Sequence, residues 1–336
     1  MAGLTRRGAL AGIAAAMTAA ALPARAEAGF SAAADVARGL EQLHALVIAH
    51  RGEVVLAEAF RGPGLERPAN VKSVSKTLVA SVLGAAIDRG VVPGVEARLS
   101  EVAPDLIPGA ADPRVGALTL ADLVTMQAGL ERTSGANYGA WVSSRNWVAN
   151  ALARPFVAEP GAGMLYSTGS FHVLGAALAR AGGDSLLALT RAWIGRPLGI
   201  EIPAWTRDPQ GFFLGGNEMA LTPMAMLRFA EMVRQEGRHG DAQVLSALWV
   251  AESLRPRTRS PFSGLDYGYG WFIGRLDGTR VALARGFGGQ VIAVAPERGL
   301  SVAITSDPTR PARTQGHFGD LLALLEEGIL PAAARA

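Results

Sequence analysis

NVKSVSKTLVASVLGAAIDRG, residues 70–90, is the stretch on which the fold of this 336-residue chain turns. Its apolar positions Leu78, Val79, Val82 and Ala86 recur at helical spacing and Gly90 closes the run, so the pattern predicts a helix from Ser73 to Arg89. The first turn holds Ser73-Val74-Ser75-Lys76. Residues three apart share a helix face, which brings the Lys76 ammonium within reach of the Ser73 hydroxyl. Burial would lower the lysine pKa, and the positive end of the helix dipole favours negative charge on the serine oxygen. The serine N–H points out of the same turn and can bind an oxyanion. A serine three residues before a lysine is common by chance, and residue usage sharpens it. Of 32 basic residues only Lys72 and Lys76 are lysine. Arginine cannot lose its proton in a protein, so a lysine here points to an amine that titrates. Ser73 is the candidate nucleophile and Lys76 its activating base.

Working outward, ALVIA and VVLAEAF between Ala45 and Phe60 flank His50-Arg51-Gly52-Glu53, a strand–turn–strand signal preceded by a predicted helix over 31–44. Residues 91–255 read as mostly helical with Gly/Pro-rich connections. Thr119 is expected as an N-cap, helices are expected over 171–181 and from Asp184 to about Ile194, and another opens at Thr222-Pro223. Strand character returns in GYGWFIGRL (268–276), TRVALA (279–284), QVIAVA (290–295) and LSVAIT (300–305), and 315–329 closes as an amphipathic helix. Strands at both ends around a helical middle predict an α/β (α+β) unit over 27–336. Its mainly antiparallel sheet would come from about 31–75 and 256–336, flanked by helices, with a helical subdomain over about 91–255.

The motifs in order, AHRGEVVLAEAF, NVKSVSKTLVASVLGAAIDRG, LTLADLVTMQAGL, MLYSTGSFHVLG, RPLGIE, LTPMAMLRFA and GFGGQVIAVAPERGLSVAIT, resemble the serine β-lactamase-related hydrolases. That family holds class C β-lactamases, DD-peptidases, esterases and 6-aminohexanoate-dimer hydrolases, and S-x-x-K is its nucleophile motif. The resemblance spans roughly residues 40–310. It implies the β-lactamase/transpeptidase-like fold and an acyl-enzyme on Ser73, with no metal and no organic cofactor. Tyr166-Ser167-Thr168 stands where the family has Tyr-x-Asn. Tyr166 would be the second catalytic acid or base, sharing a proton network with Lys76 and relaying it to the leaving group. Thr168 offers a hydroxyl toward substrate in place of an amide. The family's Lys/His-Ser/Thr-Gly maps onto Ala284-Arg285-Gly286, ahead of Phe287-Gly288-Gly289-Gln290. The first basic residue is gone and Arg285 supplies charge nearby. Gly286, on an expected edge strand, lets substrate approach, and the Phe287 N–H joins that of Ser73 as oxyanion donor. Gly288 and Gln290 complete the expected substrate contacts. These departures favour small esters or linear amides over β-lactams. Two other readings stay open: a DD-peptidase or β-lactamase-type penicillin-interacting enzyme, and a non-catalytic cell-wall-binding or sensor protein of the same fold.

The remaining signals bound the setting. Thr5-Arg6-Arg7-Gly8, an apolar stretch from Ala9 to about Leu22, and Pro23-Ala24-Arg25-Ala26 form an export signal of twin-arginine type over 1–26. It predicts a periplasmic or secreted protein with no stable membrane anchor after cleavage. The pI near 9.7 owes much to this segment. Without Arg6, Arg7 and Arg25 the formal charge of +3 falls to zero, so nothing points to nucleic acid. The absence of cysteine excludes disulfides, thiol catalysis and cysteine-ligated zinc. His44, His50, His172, His239 and His317 lack metal-ligand spacing. Gly183-Asp184-Ser185-Leu186 spells an esterase string, but Asp184 reads better as a helix N-cap, and His172 reads as a packed side chain. Trp141, Trp147 and Trp205 are candidates to line a substrate cleft or to pack in the core.

Overall fold

Three apolar runs dominate the carboxy-terminal third, and they form the centre of the sheet. The computed structural model describes residues 24–313 and 315–336; most of the expected export signal lies outside these residues. The sheet strands are β1 (Leu43–His50), β2 (Glu53–Ala59), β3 (Thr258–Arg259), β4 (Asp266–Tyr267), β5 (Phe272–Leu276), β6 (Thr279–Gly286), β7 (Gln290–Ala295) and β8 (Leu300–Ser306). Their order is β2-β1-β8-β7-β6-β5-β4-β3, with every neighbouring pair antiparallel. Pairing of Ala45 with Thr305 and of Ile48 with Val302 joins the two ends of the chain. β7 and β8 are buried at every residue, so both faces of the sheet are covered there, and their sequences run apolar rather than alternating. Edge strand β2 alternates half-buried and exposed positions, as a strand covered on one face does.

Helices fill the interval between β2 and β3. The first, α1 (Ala24–Gly39), precedes β1; it ends five residues before the expected helix boundary because strand pairing begins at Leu43. The central helix α2 (Ser75–Asp88) is buried from Ser75 to Ala86. A helix apolar all round belongs inside a domain, and each fully buried Leu or Val adds about 1.5–3 kcal/mol. α2 docks on the sheet where Gly270 passes: a Cβ there would lie 2.9 Å from the Ala80 Cβ, and the Thr77 hydroxyl donates to the Gly270 carbonyl at 2.6 Å. α3 (Thr168–Gly182) crosses α2, and α4 (Pro223–Arg234), capped by Thr222 with Pro223 in its first turn, lies on β8, β7 and β1. Thr119 caps its helix as expected, in a capping box with Asp122. The expected closing helix is in three parts, His317–Ala323, a π-helical Leu324–Ile329 and Leu330–Arg335. Among the described residues no helix is long and apolar enough to cross a membrane.

Candidate active site

Ser73 sits in a single 3-10 turn, Lys72–Val74, and the α-helix begins only at Ser75. The expected helix therefore starts two residues late, after a 3-10 turn whose first residue, Lys72, holds a left-handed φ of +51°. Its partners hold it there. The Lys72 N–H donates to the Asn70 side-chain oxygen at 2.9 Å, and its ammonium pairs with Glu218 at 3.0 Å. The Asn70 amide donates to the other Glu218 oxygen at 2.6 Å. Glu218 is left-handed as well, with φ +69°. Two strained residues thus brace each other beside Ser73, the kind of place where strain persists. A short ladder reinforces the brace: Asn70 pairs with Ala220, Ala69 with Leu221, and the Met219 N–H donates to the Ser75 hydroxyl at 3.2 Å.

Lys76 is 2% exposed, and its amine has three oxygen neighbours. These are Ser73 Oγ at 3.1 Å, Thr168 Oγ1 at 3.2 Å and the Gly216 carbonyl at 2.7 Å. Burial pushes the Lys76 pKa down, because the charged form loses hydration it cannot recover. Nearby Tyr166 opposes the shift and favours the charged amine. The amine lies 4.9 Å from the centre of the Tyr166 ring.

Thr168 opens α3 and is only 4% exposed. Its hydroxyl, expected to face substrate, is engaged by protein partners. It takes a hydrogen bond from Lys76 and shares another with Ser134 Oγ at 3.0 Å, while its N–H donates to Ser134 Oγ at 2.9 Å. Ser167 turns the other way, bonding Thr133.

The third motif lies on the last residues of β6. The expectation of an edge strand is corrected: β6 is interior, between β5 and β7. Its pairing with β5 stops at Leu283, however, so Ala284–Gly286 run beyond that neighbour and meet the Ser73 turn instead. A Cβ on Gly286 would lie 2.3 Å from the Val71 carbonyl, so only glycine fits this crossing. Next comes Phe287, with its side chain exposed. Among the described residues neither the Ser73 nor the Phe287 N–H has a protein partner. The Arg285 guanidinium lies 3.3 Å above the centre of the Phe318 ring and 5.1 Å from that of Phe272. Burial pushes its pKa down to about 10, which leaves it charged at neutral pH. Among the described residues it has no carboxylate partner.

Two expected substrate contacts fail. Gln290 is fully buried, and its amide spans β7 and β8, donating to the Ser306 carbonyl at 2.7 Å and accepting from the Ser306 N–H at 3.1 Å. Gly288 faces Asp307, where a Cβ would meet the carbonyl at 2.2 Å; its φ of +85° makes it a turn glycine. The remaining site residues converge on one cleft of about 700 Å³. Ser73, Tyr166, Thr168, Arg285, Gly286 and Phe287 line it, together with Lys72, Ser134, Tyr138, Asn217, Glu218, Phe262 and Phe318. Among the described residues no group of three or more His, Asp or Glu could hold a metal ion.

The Beta-lactamase family profile matches residues 36–324. The chain belongs to the Beta-lactamase family. No curated protein sequence matches it. Solved structures with the same fold include a penicillin-binding protein homolog from Caulobacter crescentus. That structure has TM-score 0.74 and 16% identity, over 94% of this chain and 98% of the other. A second is EstCE1, a hydrolase with promiscuous acyltransferase activity, with TM-score 0.72 and 19% identity over 91% and 97% of the two chains. A third, from Bacillus anthracis and described as a 6-aminohexanoate-dimer hydrolase, has TM-score 0.73 and 17% identity over 88% and 79%.

Within this Beta-lactamase-family site, several residues escaped sequence reasoning. Ser134, Gly216 and Glu218 carry no motif, and reach Thr168, Lys76 and Lys72 only through the tertiary fold. Trp141 and Trp147, considered for the cleft, are buried around His172, with ring centres 5.7 and 5.6 Å from the imidazole. His172 Nε2 lies 3.0 Å from the buried Asp208 carboxylate, and its Nδ1 accepts from the Gly215 N–H at 3.4 Å. That acceptor role puts the ring proton on Nε2, facing Asp208. The pair thereby holds Gly215, next to the carbonyl that grips Lys76. Trp205 is likewise buried, against Phe213. In the Gly183–Leu186 string the helix cap is Ser185, whose hydroxyl accepts from the Ala188 N–H; Asp184 instead accepts from the Ser185 N–H.

Proposed function

We propose that the chain is an exported serine hydrolase that cleaves small esters or linear amides through an acyl-enzyme on Ser73. The observation that carries this is the buried Lys76 amine held 3.1 Å from Ser73 Oγ. A neutral amine has two hydrogens and one lone pair. The Gly216 carbonyl can only accept, so it takes one hydrogen, and Thr168 Oγ1 takes the other. The lone pair is left for the Ser73 proton. Lys76 thus acts as general base as Ser73 Oγ attacks the carbonyl carbon, and Tyr166 at its flank is the second acid/base group. The Ser73 and Phe287 N–H groups hold the oxyanion. Water then attacks the ester and releases the acid.

Substrate preference follows from the walls. Phe262, Phe287 and Phe318 give the cleft an apolar side, and Arg285 gives it a cation. The structural neighbours described as a hydrolase with promiscuous acyltransferase activity and as a 6-aminohexanoate-dimer hydrolase fit this preference. Hydrolysis of p-nitrophenyl acetate and butyrate by the mature protein, beside Ser73→Ala, tests the proposal. Turnover that the substitution abolishes supports it; two folded but inert proteins favour a binding or sensor role. Fluorescent penicillin separates the penicillin-interacting alternative, which requires a stable or slowly released adduct. Export is tested by sequencing the amino terminus of protein recovered from the periplasm, with cleavage after Ala26 expected.

A further inference from the structure

The hydroxyls of Thr168 and Ser134 continue the hydrogen-bonded line from Ser73 and Lys76 back to the cleft. Donor and acceptor capacity fixes their direction. Thr168 Oγ1 receives a hydrogen from Lys76 and sits 3.0 Å from Ser134 Oγ. If Ser134 donated to Thr168, the buried threonine hydrogen would have no acceptor among the described residues, which is costly. Thr168 therefore donates to Ser134. Ser134 Oγ then accepts from both the hydroxyl and the N–H of Thr168, at 3.0 and 2.9 Å, and its two lone pairs are filled. Its own hydrogen is free for the cleft, which Ser134 lines beside Ser73.

We propose that the leaving-group proton travels from Lys76 through Thr168 to Ser134, and that Ser134 delivers it. The proposal rests on the Ser73 acyl-enzyme reading and gives the leaving-group step, expected of Tyr166, to Ser134 instead. Ser73 loses its proton to the Lys76 lone pair as Oγ bonds to the carbonyl carbon. When the tetrahedral intermediate collapses, the bond to the leaving oxygen or nitrogen breaks and its electron pair goes to that atom. That atom takes the Ser134 hydrogen, Ser134 takes the Thr168 hydrogen, and Thr168 takes one from the Lys76 ammonium. The amine returns to its neutral form and no proton is gained or lost. The threonine at this position gains a meaning thereby. A hydroxyl can accept and donate through one oxygen and so pass a proton, whereas a carboxamide accepts and donates through different atoms.

The test compares two esters with one acyl group, p-nitrophenyl butyrate and ethyl butyrate. A p-nitrophenolate departs without a proton, and an alkoxide does not. Wild type, Thr168→Val, Thr168→Ser and Ser134→Ala are each assayed on both. Ser134→Ala should lose about 100-fold in kcat/KM on the ethyl ester and less than about tenfold on the nitrophenyl ester; Thr168→Val, which also strips Lys76 of a hydrogen-bond acceptor, should lose activity on both but about tenfold or more further on the ethyl ester, with Thr168→Ser close to wild type. Equal losses on both esters overturn the relay, because a defect in Lys76 or in folding has no leaving-group preference. Full ethyl-ester activity in either variant overturns it too. A folded wild type inert on both esters defeats the hydrolase reading itself, and the relay with it.

Discussion

Replacing Lys76 by methionine keeps the side chain's length and bulk while removing the amine. The catalytic loss follows from geometry: the amine at 3.1 Å is the base within reach of the Ser73 hydroxyl. General-base catalysis is worth about 100- to 10,000-fold, or about 3–5 kcal/mol of barrier. Stability should respond with a pH signature. Burial holds the folded Lys76 pKa below its ordinary 10.5. Between the folded pKa and 10.5, the unfolded chain carries a proton that the folded chain has released. Wild-type stability therefore rises with pH through that window, at about 1.4 kcal/mol for each unit by which the folded pKa is lowered. The methionine variant lacks this contribution. It also loses three hydrogen bonds, at about 1 kcal/mol each. The two proteins should differ least below that window, with the wild type pulling ahead as pH rises through it. Turnover of p-nitrophenyl acetate and chemical denaturation at several pH values read both effects. A variant retaining more than about a tenth of wild-type kcat/KM would refute the base assignment. A stability difference flat across the window would refute the depressed pKa.

Other perturbations probe the walls of the site. Arg285→Gln should leave a neutral butyrate ester unaffected and slow an ester bearing a free carboxylate by about 10- to 100-fold, the value of a hydrogen bond to a charged group; competitive kinetics on the pair decides it. Gly286→Ala puts a methyl 2.3 Å from the Val71 carbonyl, backbone that no rotamer can move. It should cut activity at least about tenfold, with circular dichroism and denaturation checking that the sheet survives. His172→Ala strips the buried Asp208 carboxylate of its imidazole partner and opens a cavity between two tryptophans. An unfolding loss of about 3–5 kcal/mol is expected, and Asp208→Asn in the same background should restore part of it.

What the sequence disclosed depended on how locally each feature is encoded. Ser73 and Lys76 are three residues apart across one turn, so their meeting is written in spacing alone. QVIAVA matches β7 residue for residue, because a strand covered on both faces must be apolar throughout. Gly216 lies 140 residues from Lys76 and Glu218 lies 146 from Lys72, distances over which spacing carries no signal. The Gly288 and Gln290 expectations erred for another reason. A glycine-rich string beside a catalytic motif suggests substrate approach, yet the left-handed turn and the Ser306 ladder account for both residues. Thr168 was legible as a departure, but its role needed the position of Ser134, which no motif marks.

The most direct test of the account is covalent. A fluorophosphonate probe incubated with the mature protein, followed by intact-mass and peptide mapping, reports which hydroxyl is nucleophilic. One adduct is expected, on Ser73, absent from Ser73→Ala and formed much more slowly in Lys76→Met. A folded protein that takes no label, or takes it on another serine such as Ser185, would contradict it.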